Sequence, residues 1–166
     1  MAMWAGAVME KAPYAPMSHL SDISDVLLVN RKGERFINED LGAQSLSNVI
    51  MRCPGEVAYC VTGEAQGPKV LQPGPDAVKP EPLNTLEEAA AVVGCDAATF
   101  KATVERYNGM CEAGEDTDYY KKPVFLTPVK EGPFYALKVG PALLAIPGGL
   151  RTNVDFQCLD AEGQPI

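Results

Sequence analysis

Few residues in this chain could do acid–base, nucleophilic or metal chemistry. His19 is the single histidine and the one side chain whose unperturbed pKa lies near neutrality. It is the obvious candidate general acid or base, and equally a plain surface histidine. The five cysteines, Cys53, Cys60, Cys95, Cys111 and Cys158, contain no C-x-x-C pair, so neither a zinc site nor a complete disulfide framework is suggested. Reduced thiols are the expectation, and a conventional catalytic triad has almost no material. Polar side chains also gather at Asn38, Glu39 and Asp40, followed by Gln44. Each has a structural reading. Asp40 could cap a following helix, Glu39 could pair with Arg35 or Arg31 for about 1 kcal/mol or less, and Gln44 could be solvated. The paired Gly148 and Gly149 lack a following helix, and no G-x-G-x-x-G follows a strand, so the residues alone offer no dinucleotide cradle.

The elements that must carry these groups fit one domain. A chain of 166 residues can bury roughly two thirds of its unfolded surface, and 46% apolar with 22% charged residues is ordinary globular composition. No apolar run approaches the roughly 20 residues of a membrane span. A net charge of −8 without any basic stripe argues against nucleic acid as a partner. The apolar opening MAMWAGAVMEK has no basic region ahead of it, so it reads as a buried helix or strand and not as a secretory signal. A cytoplasmic location is the default.

Residues 26–30 (VLLVN) and Arg35-Phe36-Ile37 read as a hairpin with Gly33 in the turn. Residues 43–52 place Leu46, Val49 and Ile50 at helical spacing before Pro54-Gly55, and residues 57–62 read as a strand. Five prolines between residues 67 and 82 bar regular structure there. Thr85 and Glu88 match a capping box with Gly94 as the stop, and Asp96 opens a second helix carrying Phe100, Val104, Tyr107 and Cys111 to Gly114. Residues 115–120 read as an acidic solvated loop. Residues 134–139 and 154–159 read as strands, with turns at 147–149 and 161–164. Helices and strands mix without βαβ repetition, which predicts an α+β fold.

Three stretches in order, NRKGERFINED (30–40), TFKATVERYNGMCEAGEDTD (99–118) continuing into GPFYALKV (132–139), and PGGLRTNVDFQCLDAEGQPI (147–166), resemble the flavoprotein family of fumarate reductase, urocanate reductase and the 3-ketosteroid dehydrogenases. MWAGAVMEKAPYAPM is also similar to family sequence. The resemblance implies that residues 1–166 are a single substrate-capping domain, a small sheet with packed helices, cut from a larger FAD-binding oxidoreductase. Its implied partners are the FAD-binding domain of the same parent chain and a small-molecule substrate. FAD would be bound by the parent and not tightly by this segment, which would be inactive alone. A free-standing ligand-binding or interaction module with the cap fold is the alternative.

Carried over residue by residue, the family's proton-donating arginine, four after the glutamate of R-F-x-N-E, falls on Ala43. Its substrate-binding histidine, three before the glycine pair, falls on Ala145. The resemblance therefore implies the architecture but not fumarate chemistry, and a neutral enone-like or aromatic enoyl substrate is expected. It places Asn38, Glu39 and Asp40 at the cleft and Gly148 and Gly149 where the backbone approaches flavin or substrate. Arg151 is next to that turn, His19 is in a region lining the active site, and Tyr135 is in a family-like F-Y-A strand.

Overall fold

The computed structural model describes residues 2–9, 23–69, 79–140 and 149–166. Strands β1 (Leu27–Val29), β2 (Ala58–Thr62) and β3 (Tyr135–Val139) form an antiparallel sheet in the order β1-β2-β3. Helices α1 (Ala43–Ile50), α2 (Leu86–Val93) and α3 (Ala97–Ala113) complete the α+β architecture.

Side chains along a strand alternate between the sheet's faces, and both faces here are apolar. Leu27, Val29, Tyr59, Val61 and Ala136 join Ala89, Ala90, Phe100, Val104 and Tyr107 in one core. Leu28, Ala58, Cys60, Leu137 and Val139 join Leu46 and Ile50 in the other. The sheet is thus sandwiched between α1 and the α2–α3 pair. The middle strand β2 accordingly reads as a continuous buried run, not as an in–out alternation.

Local sequence sets the helix ends. The Thr85 hydroxyl accepts the Glu88 amide, and the Glu88 carboxylate accepts the amide of Asn84, one residue before the position that a capping box predicts. Asp96 accepts the Thr99 amide at 2.8 Å. Gly94 and Gly114, at φ 77° and 70°, stop the two helices in the left-handed region. In the hairpin after β1, Gly33 has φ 79°, and a Cβ there would sit 2.9 Å from the Cys95 sulfur and 3.3 Å from Phe100 Cα. Turn geometry and the close approach of α3 both demand glycine.

Three expectations are corrected. The run 154–159 is not a strand but a turn with isolated bridges, Thr152 to Cys158 and Leu159 to Pro165. The Asn153 side chain accepts the amides of Asp155 and Gln157 and so competes with a ladder, leaving Val154 and Phe156 92% and 89% exposed. The N-terminal run is a 3-10 helix, Ala2–Ala5, without buried residues. It is too short to bury an apolar face, although Ala7 is buried and Val8 exchanges backbone bonds with Leu159 and Arg151. The loop 115–120 is not simply solvated, because Asp116 is buried. Of the proline-rich stretch, residues 70–78 lie outside the described residues, as does most of the turn at 147–149.

Truncating Phe100, wholly buried between sheet and helices, should cost about 3–5 kcal/mol as Phe100→Ala. Phe156→Ser, on the exposed turn, should stay within about 0.5 kcal/mol. Urea unfolding midpoints at constant m-value check both.

Candidate functional site

The connection from β1 to α1 carries Asn38, Glu39 and Asp40, and a buried group of charges holds it. Arg35 donates from Nε and Nη2 to the two oxygens of Glu39, at 3.0 and 2.8 Å. It donates from Nη1 and Nη2 to those of Asp116, at 2.9 and 2.7 Å. The arginine side chain is 5% exposed and both carboxylates 0%. Its guanidinium also lies 5.1 and 5.0 Å from the ring centres of Tyr107 and Tyr119. Glu39 accepts the Leu28 amide at 3.0 Å. Buried Lys121 lies 3.4 Å from Glu39 and donates to the Val26 carbonyl and the Tyr107 hydroxyl. Asp116 accepts the amides of Asp118, Tyr119 and Lys121, and the Tyr119 hydroxyl donates to the Arg35 carbonyl.

Two cations therefore balance two carboxylates inside the fold, and among the described residues no buried side-chain polar atom lacks a partner. Burial is the largest single influence on Asp116 and pushes its carboxyl up. The hydrogen bonds from Arg35, the amides of Lys121 and Tyr119 and the charge of Arg35 together outweigh it and hold the group well below the usual carboxylate range. For Arg35, burial opposes the charge but loses to the bonds it donates to Glu39 and Asp116 and to their charges, so its pKa rises. Burial lowers the Lys121 pKa, partly offset by Glu39.

Glu39 thus faces inward, in the pairing with Arg35 that its i, i+4 spacing allows, while Asn38 and Asp40 on either side are half-buried. The Asn38 side chain accepts the Asp40 amide at 2.8 Å. Asp40 pairs with Lys122 at 2.9 Å and does not cap α1, whose N-cap is Gly42 without a side-chain bond. Gln44, in the first turn of α1, donates to Asn48. Tyr135 is half-buried on β3 opposite Thr62. Gly149 is half-buried, and a Cβ on it would meet no atom of the described residues within 4 Å. Arg151 is exposed. His19 and Gly148 lie outside the described residues. Asn38, Glu39 and Asp40 share one connection and Gln44 follows in α1, whereas Tyr135 and the Gly149–Arg151 segment belong to other parts of the chain.

Arg35, Asp116, Lys121, Tyr107 and Tyr119 were not singled out as site residues from sequence. A cleft of about 430 Å³ opens at the outer side of their cluster, lined by Glu34, Arg106, Met110, Thr117 and Asp118, with Arg106 and Asp118 paired. Among the described residues no group of His, Cys, Asp and Glu is arranged to hold a metal ion, and no helix is long and apolar enough to cross a membrane.

A depressed native carboxyl pKa contributes stability that is complete above the unfolded value, about 3.9, and is lost as pH falls below it. Asp116→Asn should therefore be less stable at pH 7 and lose less stability than wild type between pH 5 and pH 2. Urea unfolding midpoints across that range check the sign.

A family model described as FAD binding domain matches residues 1–166. The NADH:fumarate oxidoreductase of Klebsiella pneumoniae is 32% identical over 142 residues, covering 84% of this chain and 15% of that protein. The urocanate reductase of Eggerthella lenta is 30% identical over 149 residues, covering 84% of this chain and 24% of the relative. Among solved structures, the 3-ketosteroid Δ1-dehydrogenase of Sterolibacterium denitrificans, in complex with 1,4-androstadiene-3,17-dione, superposes with a TM-score of 0.73 at 25% identity, covering 99% of this chain and 38% of that one. The chain thus spans well under half the length of these relatives. With its whole length matched, it belongs to the FAD-binding flavoprotein family that includes fumarate reductase, urocanate reductase and 3-ketosteroid dehydrogenase, oxidoreductases whose cofactor is FAD.

Proposed function

We propose that this segment is the substrate-capping part of an FAD-dependent oxidoreductase that transfers hydride between flavin and a carbon–carbon bond of a neutral enone-like or aromatic enoyl substrate. The observation that carries the reading is the charge state of the loop at residues 38–43. Among the described residues the cations touching it are Arg35 and Lys121, enclosed with carboxylates, and Lys122, paired with Asp40. Beyond Asp40 the loop offers Leu41, 42% exposed, then Gly42 and Ala43. A dicarboxylate in a water-poor pocket needs cationic partners, since an unpaired buried carboxylate costs several kcal/mol or more. A neutral ring ketone does not, and 1,4-androstadiene-3,17-dione, an uncharged diketone held by the ketosteroid relative, is of that kind.

FAD, when bound, supplies the hydride donor or acceptor. Of the described residues, those that could touch it are the backbone at Gly149, where a Cβ would meet no described atom within 4 Å, and exposed Arg151. The glycine-rich phosphate cradle has no counterpart in this sequence, so tight binding falls to the rest of the parent chain. The cap's own work is to exclude water and orient the acceptor carbon. Asn38 and Asp40 shape the loop, Gln44 and Tyr135 are the candidate donors to a substrate carbonyl, and His19 is the candidate proton carrier. The exposed Trp4, Val154 and Phe156 suit burial against the FAD-binding domain.

Two outcomes are expected. The segment alone should purify colourless, with a melting temperature unmoved by added FAD, whereas stoichiometric flavin absorbance would contradict the division of labour. In the complete flavoprotein, kcat/KM for cyclic enones or aromatic enoyl compounds should exceed that for fumarate at least about a hundredfold, or about 2.7 kcal/mol. Fast fumarate turnover in a steady-state assay would show that the cations come from elsewhere in the parent and overturn the substrate assignment.

A further inference from the structure

The loop at residues 38–42 has little internal support. Its own bonds are the Asx contact from the Asp40 amide to Asn38 and a long backbone bond from Leu41 to Asn38 at 3.4 Å. Gly42 starts α1 without a side-chain cap. What fixes the loop lies outside it. Glu39 is its one fully buried residue, and the carboxylate is gripped by Leu28, Arg35 and Lys121. Arg35 is itself aimed by Asp116, which three backbone amides of its own loop hold in turn. From that same loop, Lys122 takes Asp40 at 2.9 Å. The segment 116–122 therefore grips residues 38–42 at two consecutive positions, Lys121 on Glu39 and Lys122 on Asp40.

We propose that Asp116, Lys121 and Lys122 are positioning residues for substrate turnover, acting through Glu39 and Asp40 to set the place of the loop at residues 38–42. The proposal rests on the reading of that loop as substrate-facing. Apolar side chains of the same volume would stabilise the fold at least as well as buried charges do, but without direction. A guanidinium fork bonded to both oxygens of each carboxylate fixes position as well as attraction. Position matters here because a displacement of about 1 Å at a reacting centre can cost about a hundredfold in rate.

The test uses the complete FAD-loaded flavoprotein. Asp116→Asn keeps one acceptor for Arg35 and turns the other into a donor facing it. Lys122→Met removes the outer grip and leaves the buried cluster intact, so it keeps the test open if the first variant does not fold. The expected result is a fall in kcat/KM for the organic substrate, about tenfold or more for Asp116→Asn and several-fold for Lys122→Met. Flavin reduction or reoxidation by an artificial electron partner should stay within about twofold. Hydrogen exchange of the flavin-free protein should show faster exchange in the 38–44 amides with β2 unchanged. Equal losses in both half-reactions, or protection lost throughout the sheet, would mark a merely structural cluster and overturn the proposal. So would wild-type turnover and exchange in both folded variants. Leu41→Ala and Gln44→Ala separate the two readings. If neither alters kcat/KM, the loop does not face substrate and both readings fall; if they lower it while the positioning variants do not, the inference alone fails.

Discussion

The sharing of one guanidinium between Glu39 and Asp116 is the interaction on which the arrangement turns. It joins the hairpin after β1 to the loop after α3, segments that the sheet does not connect. Neither carboxylate could be buried by itself, because a lone charge in the interior would take up a proton or draw in water. Two cations and two anions enclosed together leave no net charge, and the amide and carbonyl partners around them occupy the remaining lone pairs and protons. Taking away one member does more damage than its own bonds suggest, since the others are left enclosed without compensation.

Around this cluster the fold is economical. Three short strands suffice because the sheet is covered on both faces, so Ala58, Tyr59, Cys60 and Val61 of β2 each contribute to one core or the other. Tyr107 links the apolar and charged regions. Its ring packs in the core with Phe100 and Val104 and lies beneath Arg35 and Lys121, while its hydroxyl accepts from Lys121. Aromatic side chains serve such boundaries well, offering apolar area, an electron-rich face and a polar tip in one residue.

Much of this was legible in the residues. The caps at Thr85 and Asp96, the stops at Gly94 and Gly114 and the 3.6-residue spacing of Phe100, Val104 and Tyr107 are local signals, and local bonds realise them. A pairing of Glu39 with Arg35 or Arg31 was foreseen, and the fold selects Arg35. Asp116 could not be seen, because the acidic stretch around it reads as solvated and its partner lies 81 residues away. The run at 154–159 misled for the opposite reason: its apolar residues suggest a strand, but Asn153 draws the local amides into a turn. Of the site, the loop at 38–44 was readable chiefly through its resemblance to family motifs. Spacing alone left Asn38, Asp40 and Gln44 indistinguishable from ordinary surface groups.

The order of the strands has a consequence for how the chain reaches its native state. β2 pairs with β3, yet about seventy residues separate Thr62 from its partner Tyr135. Closing so long a loop costs entropy before either core can form, which favours slow folding of a non-local kind. Both α2 and α3 lie inside that loop, with caps and stops that need no distant partner. Formed early, they would shorten the effective distance and present Phe100 and Tyr107 as a surface on which β2 and β3 can meet. The native sheet would then be assembled on its helices, with the Arg35 cluster closing only after the strands have brought its two loops together.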